Sequence, residues 1–373
     1  MKIAKPLAPP VPRQRKRRNR RSVTQPSRVP TLALRYVGEE PGLTRLRRGR
    51  GFCILDVAGV RIRERSTLQR IRSLAIPPAW TDVWICADDR GHLQATGHDA
   101  RGRKQYRYHA QWNRLRGERK FDRLTEVGEI LPQLRRRVAT ALAETGLSRD
   151  RVLAAVVSLL DSTFARIGNR EYRRANGSFG LTTLENRHAR GGARSLRLVF
   201  RGKSGVAHEL AVEDPRVAHV IHRCQSLPGQ RLFQYLDDAG EVKSIDSQDV
   251  NDWLRDTSGR QVTAKDFRTW HATSLALEAL RKLSPPSSET AARAAFVKVV
   301  DGVAQRLGNT RAVCRASYIH PGLLAEFADG KLAGNAAEGS APGRTSGLLA
   351  REVRLLRWLR AGSSRQLSVP LAG

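Results

Sequence analysis

The hydrophobic pattern of this chain changes its period near residue 110. Before that point, "DVWICAD" (Asp82–Asp88) and "HLQATGHD" (His92–Asp99) flank a turn at Arg90-Gly91, and this arrangement predicts a β-hairpin. From about residue 120 onward the apolar residues recur with helical spacing. The change predicts an α+β fold, with a small β-rich N-terminal domain over residues 34–112 and a larger, mostly α-helical domain over residues 113–330.

Several helix ends can be placed within the helical region. Ser148 is predicted as the N-cap of a helix that stops at Gly168, and Thr263 with Asp266 has the spacing of a capping box. Two further helices are predicted, one that is capped by Ser247 and ends at Gly259, and one that runs from Ser288 to Gly308.

A second hairpin is predicted around "RGKSG", because Ser195–Phe200 and Val206–Val212 both alternate. The "GKS" in this stretch is not a P-loop, because Arg197 stands where the first glycine is required. The "HEL" at His208–Leu210 is not a zinc-protease motif, because Val212 stands where the second histidine is required. The four cysteines also lack zinc-site spacing. We therefore expect neither a metal nor a cofactor.

The two ends of the chain have biased compositions. Residues 1–33 are rich in proline and include "RQRKRRNRR" (Arg13–Arg21), which predicts a disordered basic arm that binds phosphate. A solubilising tail or a translation-start extension is the alternative. Residues 331–373 predict a flexible tail with a candidate short helix at Leu348–Arg360, for which the sequence indicates no partner.

The chain carries a formal net charge of +32, which requires an anionic partner. Double-stranded DNA is the leading candidate, because Lys and Arg displace the counterions that condense on its phosphates. We expect no membrane partner, since no apolar run of about 18 residues is present. Prolines interrupt the first apolar window, so we expect no signal peptide. The cysteines are isolated from one another, which favours a reducing compartment. We expect a cytoplasmic protein that is associated with the chromosome.

One segment, "RGRKQYRYH" (Arg101–His109), interleaves cations with tyrosines. In a strand, Arg103, Gln105 and Arg107 share one face, and Tyr106 and Tyr108 share the other. Cations can bind phosphates and glutamine can reach a base edge. A solvated, charged face is the alternative, but the aromatic interleaving and the net charge favour a DNA-binding surface.

Three cations and one tyrosine have ordinary explanations when they are taken singly. Arg166 falls in the last predicted turn before Gly168, where a cation interacts favourably with the helix dipole. Lys203 lies on the hairpin turn, where most lysines are simply solvated. Arg268 lies in the second turn of its helix, where the helix dipole does not stabilise a positive charge. Tyr318, within "LGNTRAVCRASYIHP", is by itself a core aromatic.

The order of the segments that contain these residues is more informative. "FARIGNREY", "FRGKSGVAHE", "KDFRTWHAT" and "GNTRAVCRASYI" follow "RGRKQYRYH" in that order. Together they resemble the boxes of type IB DNA topoisomerases, specifically the small poxvirus-type and bacterial enzymes, over residues 35–330. The resemblance implies relaxation of supercoiled duplex DNA by transient single-strand cleavage, a 3′-phosphotyrosyl intermediate, strand swivelling and religation, without ATP or metal.

The resemblance also implies roles for individual residues. Tyr318 falls on the nucleophile of the family, and Arg166, Lys203 and Arg268 fall on its catalytic cations. Asn309 falls where the poxvirus-type enzymes carry a histidine and the bacterial relatives an asparagine, although asparagine also suits a helix end. The positions that match DNA contacts are Arg101, Arg103, Gln105, Tyr106, Tyr108 and Tyr172.

The implied chemistry is covalent catalysis. A free tyrosine is a poor nucleophile at neutral pH, and a phosphodiester repels anions. Two arginines would bind the non-bridging oxygens and stabilise the charge of the transition state. Lys203 would protonate the leaving 5′ hydroxyl as a general acid. Residues 113–330 would then be the catalytic domain, and we expect a monomer whose two domains form a clamp around DNA.

Two alternatives stay open at this point. Tyrosine recombinases use a similar Arg–Lys–Arg–Tyr set, and two of the boxes resemble theirs, but their N-terminal DNA domain is usually helical. A basic architectural DNA-binding protein would explain the charge of +32 but not the ordered boxes.

Overall fold

The computed structural model of this chain describes residues 34–49, 51–100, 102–112, 120–192, 195–332 and 347–367. The predicted basic arm over residues 1–33 lies outside the described residues, and so does Arg101. Much of the predicted flexible tail, residues 333–346 and 368–373, lies outside them as well.

The N-terminal region contains a five-stranded antiparallel sheet with the strand order β2-β1-β3-β4-β5. Its strands are β1 (Leu43–Arg48), β2 (Gly51–Leu55), β3 (Thr81–Ile85), β4 (Leu93–His98) and β5 (Lys104–Tyr108). Val83, Ile85 and Ala95 point to one side of the sheet, where helix α1 (Arg65–Ser73) covers them with Ile71. Strands β3 and β4 form the predicted hairpin, which is confirmed. The strand β5 lies at an edge of the sheet, so one side of its backbone is free of sheet partners.

Helices dominate the chain after residue 120. They are α2 (Leu124–Ala143), α3 (Arg149–Thr163), α4 (Arg170–Asn176), α5 (Pro215–Gln225), α6 (Ser247–Ser258), α7 (Ala264–Arg281), α8 (Glu289–Leu307), α9 (Arg311–Ser317), α10 (Gly322–Ala328) and α11 (Ala350–Leu367). They share one hydrophobic core, separate from that of the sheet. Helix α7 is buried on nearly all sides, with Phe267 and Trp270 among the largest enclosed side chains. A helix enclosed in this way is a rigid mount for any polar side chain that it carries.

Short strands complete this region. Strands β6 (Ala189–Arg190), β7 (Arg197–Arg201) and β8 (Ala207–Ala211) form one sheet, and β9 (Gln234–Leu236) pairs with β10 (Val242–Ser244). The antiparallel β7 and β8 are the second predicted hairpin, which is confirmed. Their connection turns through Ser204 and Gly205, both with positive φ, and this turn exposes Lys203.

The predicted end of α3 at Gly168 is wrong. The helix ends at Thr163, and Phe164 adopts a left-handed φ of 59°. Beyond it the backbone extends and pairs with another segment: Leu181 N donates to the Arg166 carbonyl at 2.9 Å. Tertiary hydrogen bonds therefore end the helix before its local stop signal. Arg166 is outside the helix, so the explanation from the helix dipole does not apply to it.

The predicted helix caps are mostly correct. The capping box of Thr263 and Asp266 is confirmed, and Ser148 caps α3 as predicted. The predicted Ser247 cap is wrong by one residue, because Asp246 accepts the backbone N–H groups at the start of α6. Asp246 occupies the N-cap position, from which a side-chain oxygen reaches those donors, whereas Ser247 is already the first helical residue.

The helix in the C-terminal tail is longer than predicted and has a partner. Helix α11 packs against α2 and α7, and Leu355, Leu356 and Leu359 are buried there. Glu352 is 0% exposed and its carboxylate receives Arg135 at 2.8 Å. Burial of this ion pair, together with the leucines, fixes the helix on the core. Within the described ranges, none of the helices has the length and apolar character that a membrane crossing needs.

Candidate active site

A cleft of about 890 Å³ lies between β5 and the helical region. The residues in its wall come from segments far apart in the chain. Among the predicted site residues, those that line it are Arg103, Gln105, Tyr106, Arg166, Tyr172, Lys203, Arg268 and Tyr318. Asn309 is in contact with one of them, Arg166, and Tyr108 does not line the cleft. The fold thus collects most of the predicted set at one place.

Tyr318 stands at the C-terminal end of the short helix α9 and is 9% exposed. Its N–H donates to the Cys314 carbonyl at 2.9 Å, and its own carbonyl accepts from Thr273 Oγ1 at 3.0 Å. The guanidinium carbon of Arg268 lies 5.0 Å from the centroid of the Tyr318 ring. A tightly held backbone and a cation over the ring leave this tyrosine little conformational freedom.

Arg268 is mounted on the enclosed helix α7 and is 3% exposed. Its guanidinium donates to the carbonyls of Phe164 and Leu307, the latter at 2.8 Å. Its buried Nε has no hydrogen-bond partner among the described residues. The two backbone hydrogen bonds fix the orientation of the guanidinium, and the unpaired Nε keeps one donor that a ligand in the cleft could use.

Arg166 lies on the extended segment after α3 and donates to Asn309 Oδ1 and, at 3.4 Å, to the Gly308 carbonyl. Burial lowers its pKa, and the positive charge of Arg268 lowers it further. Asn309 Nδ2 is buried without a partner among the described residues. Two arginines and an amide donor therefore converge in one partly buried place, where an anion would relieve their repulsion.

Lys203 and Tyr172 approach each other across the cleft. The Lys203 Nζ atom lies 5.7 Å from the centroid of the Tyr172 ring, and the lysine itself is exposed on its turn. Tyr172 lies in the first turn of α4, which Asn169 caps. An exposed lysine on a two-stranded turn retains the rotamer freedom to reach into the cleft.

The predicted division of β5 into two faces agrees with its contacts. On one face, Arg103 Nη2 and Gln105 Nε2 meet Asp99 Oδ2 at 2.6 and 2.9 Å. On the other face, the rings of Tyr106 and Tyr108 stack with centroids 6.1 Å apart. Tyr106 is 48% exposed, which is unusual for an aromatic side chain and suits a contact surface.

Two residues that the sequence did not single out lie in the cleft or close to its lining, Lys265 and His208. Lys265 lines it from one turn before Arg268, and helical spacing of three residues would have placed both on one face. His208 lies close to Gly202 and Gly308: an added Cβ on either glycine would be 2.6 Å from the ring. Burial, followed by the nearby arginines, lowers the pKa of His208. The only sequence feature that could have indicated His208 is its position in the segment "FRGKSGVAHE", which resembles a motif of the family.

A cluster of possible metal ligands lies behind the cleft. The ligand atoms of Asp161, His271 and Glu352 all lie within 4.8 Å of one another. The Arg135 guanidinium bridges the two carboxylates, at 2.7 Å from Asp161 and 2.8 Å from Glu352. Burial alone would raise the pKa of Asp161, but hydrogen bonds from His271 and Arg135 hold it below its ordinary value. The three residues therefore form a buried ion-pair network, in which the Arg135 guanidinium takes the place that a metal ion would occupy.

Two family models match this chain. The model described as eukaryotic DNA topoisomerase I, catalytic core, matches residues 109–332. The model described as bacterial DNA topoisomerase IB, N-terminal domain, matches residues 51–99. Strand β5 and helix α11 lie outside both matched ranges.

Curated relatives agree with these models. DNA topoisomerase 1B of Acanthamoeba polyphaga mimivirus is 31% identical over 260 residues, which cover 68% of this chain and 77% of the relative. DNA topoisomerase 1B of vaccinia virus (strain Copenhagen) and DNA topoisomerase I of monkeypox virus are each 28% identical over 151 residues, or 38% of this chain and 46% of the relative.

The chain belongs to the type IB DNA topoisomerase family. It is an ATP-independent isomerase that changes the topology of DNA, with an N-terminal domain of the bacterial kind. These matches favour this interpretation over the recombinase and the architectural protein.

Proposed function

We propose that Tyr318 is the nucleophile with which this topoisomerase opens one strand of duplex DNA. In this step Tyr318 Oη loses its proton to water and bonds to phosphorus, the bond between phosphorus and the 5′ oxygen breaks, and a 3′-phosphotyrosyl link remains. After the duplex swivels, the 5′ hydroxyl reverses the step, and the energy kept in the ester makes ATP unnecessary. The observation that carries the proposal is the Arg268 guanidinium 5.0 Å over the Tyr318 ring, in a cleft that also contains Arg166.

Arg166 and Arg268 are proposed to bind the non-bridging oxygens of the scissile phosphate. Among the described residues, neither arginine has a carboxylate within salt-bridge distance, and both have donors turned to backbone or amide groups. A bound phosphodiester would supply the missing anion, and the charge that grows in the transition state would strengthen the contact. The Nε of Arg268 is one donor that has no acceptor among the described residues.

Lys203 is proposed as the general acid that protonates the leaving 5′ oxygen. It is exposed on a turn at the cleft, and a side chain in that place can reach a DNA strand that enters beside Tyr172. Asn309 is proposed to donate one hydrogen bond to a phosphate oxygen through Nδ2, which is buried and unpaired among the described residues. Its Oδ1 meanwhile orients Arg166.

The DNA is proposed to contact β5 and α4 on either side of this cleft. Arg103 and Gln105 offer donors for phosphates and base edges, Tyr106 and Tyr172 offer rings, and Tyr108 supports Tyr106 by stacking. We propose a monomer that closes as a clamp on the duplex, with Arg101 and the basic arm adding phosphate contacts. Affinity should then fall with salt, with a log–log slope of about −0.9 for each phosphate neutralised.

Plasmid relaxation in EDTA without ATP tests the proposed chemistry. Wild-type protein should relax both positive and negative supercoils, and denaturation during the reaction should trap a covalent protein–DNA adduct. Tyr318→Phe should do neither, although it should still bind plasmid. Relaxation by Tyr318→Phe would refute the assignment of the nucleophile, and exchange of strands between two duplexes would favour the recombinase.

A further inference from the structure

Lys120 is a half-buried residue that follows residues 113–119, between the sheet and helix α2. Its Nζ donates to the Ser317 carbonyl at 2.6 Å, across 197 positions of sequence, and its ammonium lies 4.1 Å from the centroid of the Phe121 ring. Ser317 is the last residue of α9 and directly precedes Tyr318. A side chain near the start of the predicted catalytic domain, just before helix α2, thus holds the backbone of the proposed nucleophile.

The Ser317 carbonyl lies at a helix end, where the last carbonyls have no partner inside the helix. A cation there satisfies an otherwise free acceptor and gains from the negative end of the helix dipole. The next carbonyl, that of Tyr318, accepts from Thr273 on α7. The two carbonyls that flank the Tyr318 Cα are therefore both fixed, one by Lys120 and the other by the helix that carries Arg268.

The charged surroundings of Lys120 come from several elements. The pKa of Lys120 is lowered to about 8, mainly by burial and also by the positive charge of Lys265 on α7. The negative charge of Asp266 acts in the opposite direction. Asp266 also lies 3.6 Å from Arg123, which weakens its support for the lysine. His320, just after α9, has a pKa lowered to about 4 by burial and by Lys120, so it is neutral near pH 7.

We propose that Lys120 is a positioning residue for Tyr318, because its ammonium group holds the Ser317 carbonyl and thereby aims the tyrosine ring during both cleavage and religation. The inference rests on the proposed role of Tyr318 as nucleophile. One consequence concerns pH: above about pH 8 Lys120 loses its proton, and the neutral amine is a weaker donor than the ammonium. Both rates should then decline.

The test measures how fast the SDS-trapped adduct forms on supercoiled plasmid with enzyme in excess. Lys120→Met keeps the length and the apolar contacts of the side chain but removes the charge. Its rate should fall about tenfold to hundredfold, as the loss of a charge-assisted hydrogen bond predicts. Plasmid affinity, measured in a Tyr318→Phe background with and without Lys120→Met, should change by less than about twofold.

Lys120→Arg separates positioning from mere folding. Arginine keeps its proton throughout the range from about pH 7 to about pH 9.5. The ratio of the wild-type rate to the Lys120→Arg rate cancels titrations that both proteins share. We expect this ratio to decline with a midpoint near pH 8, the pKa of Lys120. Because Lys120→Arg retains the cation, the profile can be read even if Lys120→Met does not fold.

Three results would overturn the inference: a Lys120→Met rate within about twofold of wild type, a ratio that does not change with pH, or a loss of plasmid affinity that accounts for the whole loss of rate. The last result would make Lys120 a phosphate contact. Adduct formation by Tyr318→Phe would overturn the proposed function instead. An inactive Tyr318→Phe beside an unaffected Lys120→Met would refute only the role of Lys120.

Discussion

Replacing Gly308 by alanine tests how the loop before Asn309 is held. Gly308 ends α8 at a φ of 60°, a left-handed conformation that costs an L-residue roughly 1–2 kcal/mol. An added Cβ would lie 2.6 Å from Cε1 of His208, so the ring or the loop must shift, which costs about 1–3 kcal/mol more. We expect Gly308→Ala to lower the free energy of unfolding by about 2–5 kcal/mol. Since Arg166 donates to both Gly308 and Asn309, adduct formation should also slow by about tenfold or more.

Gly302→Ala is the matched control. Gly302 lies in the same helix, and a Cβ there would meet nothing within 4 Å. This change should stabilise the protein by about 0.5–1 kcal/mol and leave adduct formation unaltered. Urea unfolding and the adduct assay are measured for both variants.

His208→Ala probes the source of the clash. It should cost less stability in the Gly308→Ala background than in wild type, because there it also relieves the contact with the new Cβ. If Gly308→Ala is as stable and as active as Gly302→Ala, the idea that the close packing of Gly308 against His208 keeps the Gly308 and Asn309 acceptors in place for Arg166 is refuted.

Further predictions concern other parts of the molecule. Lys203→Ala should slow adduct formation by about 100-fold with plasmid binding nearly unchanged, and equal rates would exclude Lys203 as the general acid. Glu352→Gln should lower the free energy of unfolding by about 3–5 kcal/mol at neutral pH, whereas Glu289→Gln, at an exposed ion pair, should lower it by less than about 1 kcal/mol. Burial alone would raise the pKa of Glu352, but the hydrogen bond and charge of Arg135, with smaller contributions from other groups, hold it below its ordinary 4.5. The contribution of Glu352 is therefore present above that pH and is lost on acidification; an equal loss at every pH would contradict this. Cys224 and Cys314 are buried with pKa values raised to about 11, so both should resist maleimide in the native protein, and rapid labelling at neutral pH would argue against this packing.

Local signals in the sequence predicted those parts of the fold that local physics decides. Both hairpins and the capping box at Thr263 depend on turn and cap chemistry within a few residues, and each is confirmed. The end of α3 depends instead on hydrogen bonds from Arg268 and from the 181–182 segment, which no short window contains. The partner of α11 is likewise set by a buried ion pair between residues more than two hundred positions apart.

The residues of the site were predictable where they lie in sequence segments that resemble those of the family and follow one another in the same order. Arg166, Arg268 and Tyr318 come together as their order implied, although their individual positions gave no such indication. Lys120 was not predictable, since nothing in the sequence around it distinguishes it from other lysines. Only the folded chain brings it to the carbonyl before Tyr318.

The most direct test of the central claim is to locate the DNA on the protein. Adduct that is trapped on plasmid is digested with nuclease and protease, and the nucleotide-bearing peptide is sequenced by tandem mass spectrometry. The residual nucleotide should be attached through its 3′ phosphate to Tyr318. Attachment to any other residue, or through a 5′ phosphate, would contradict the account.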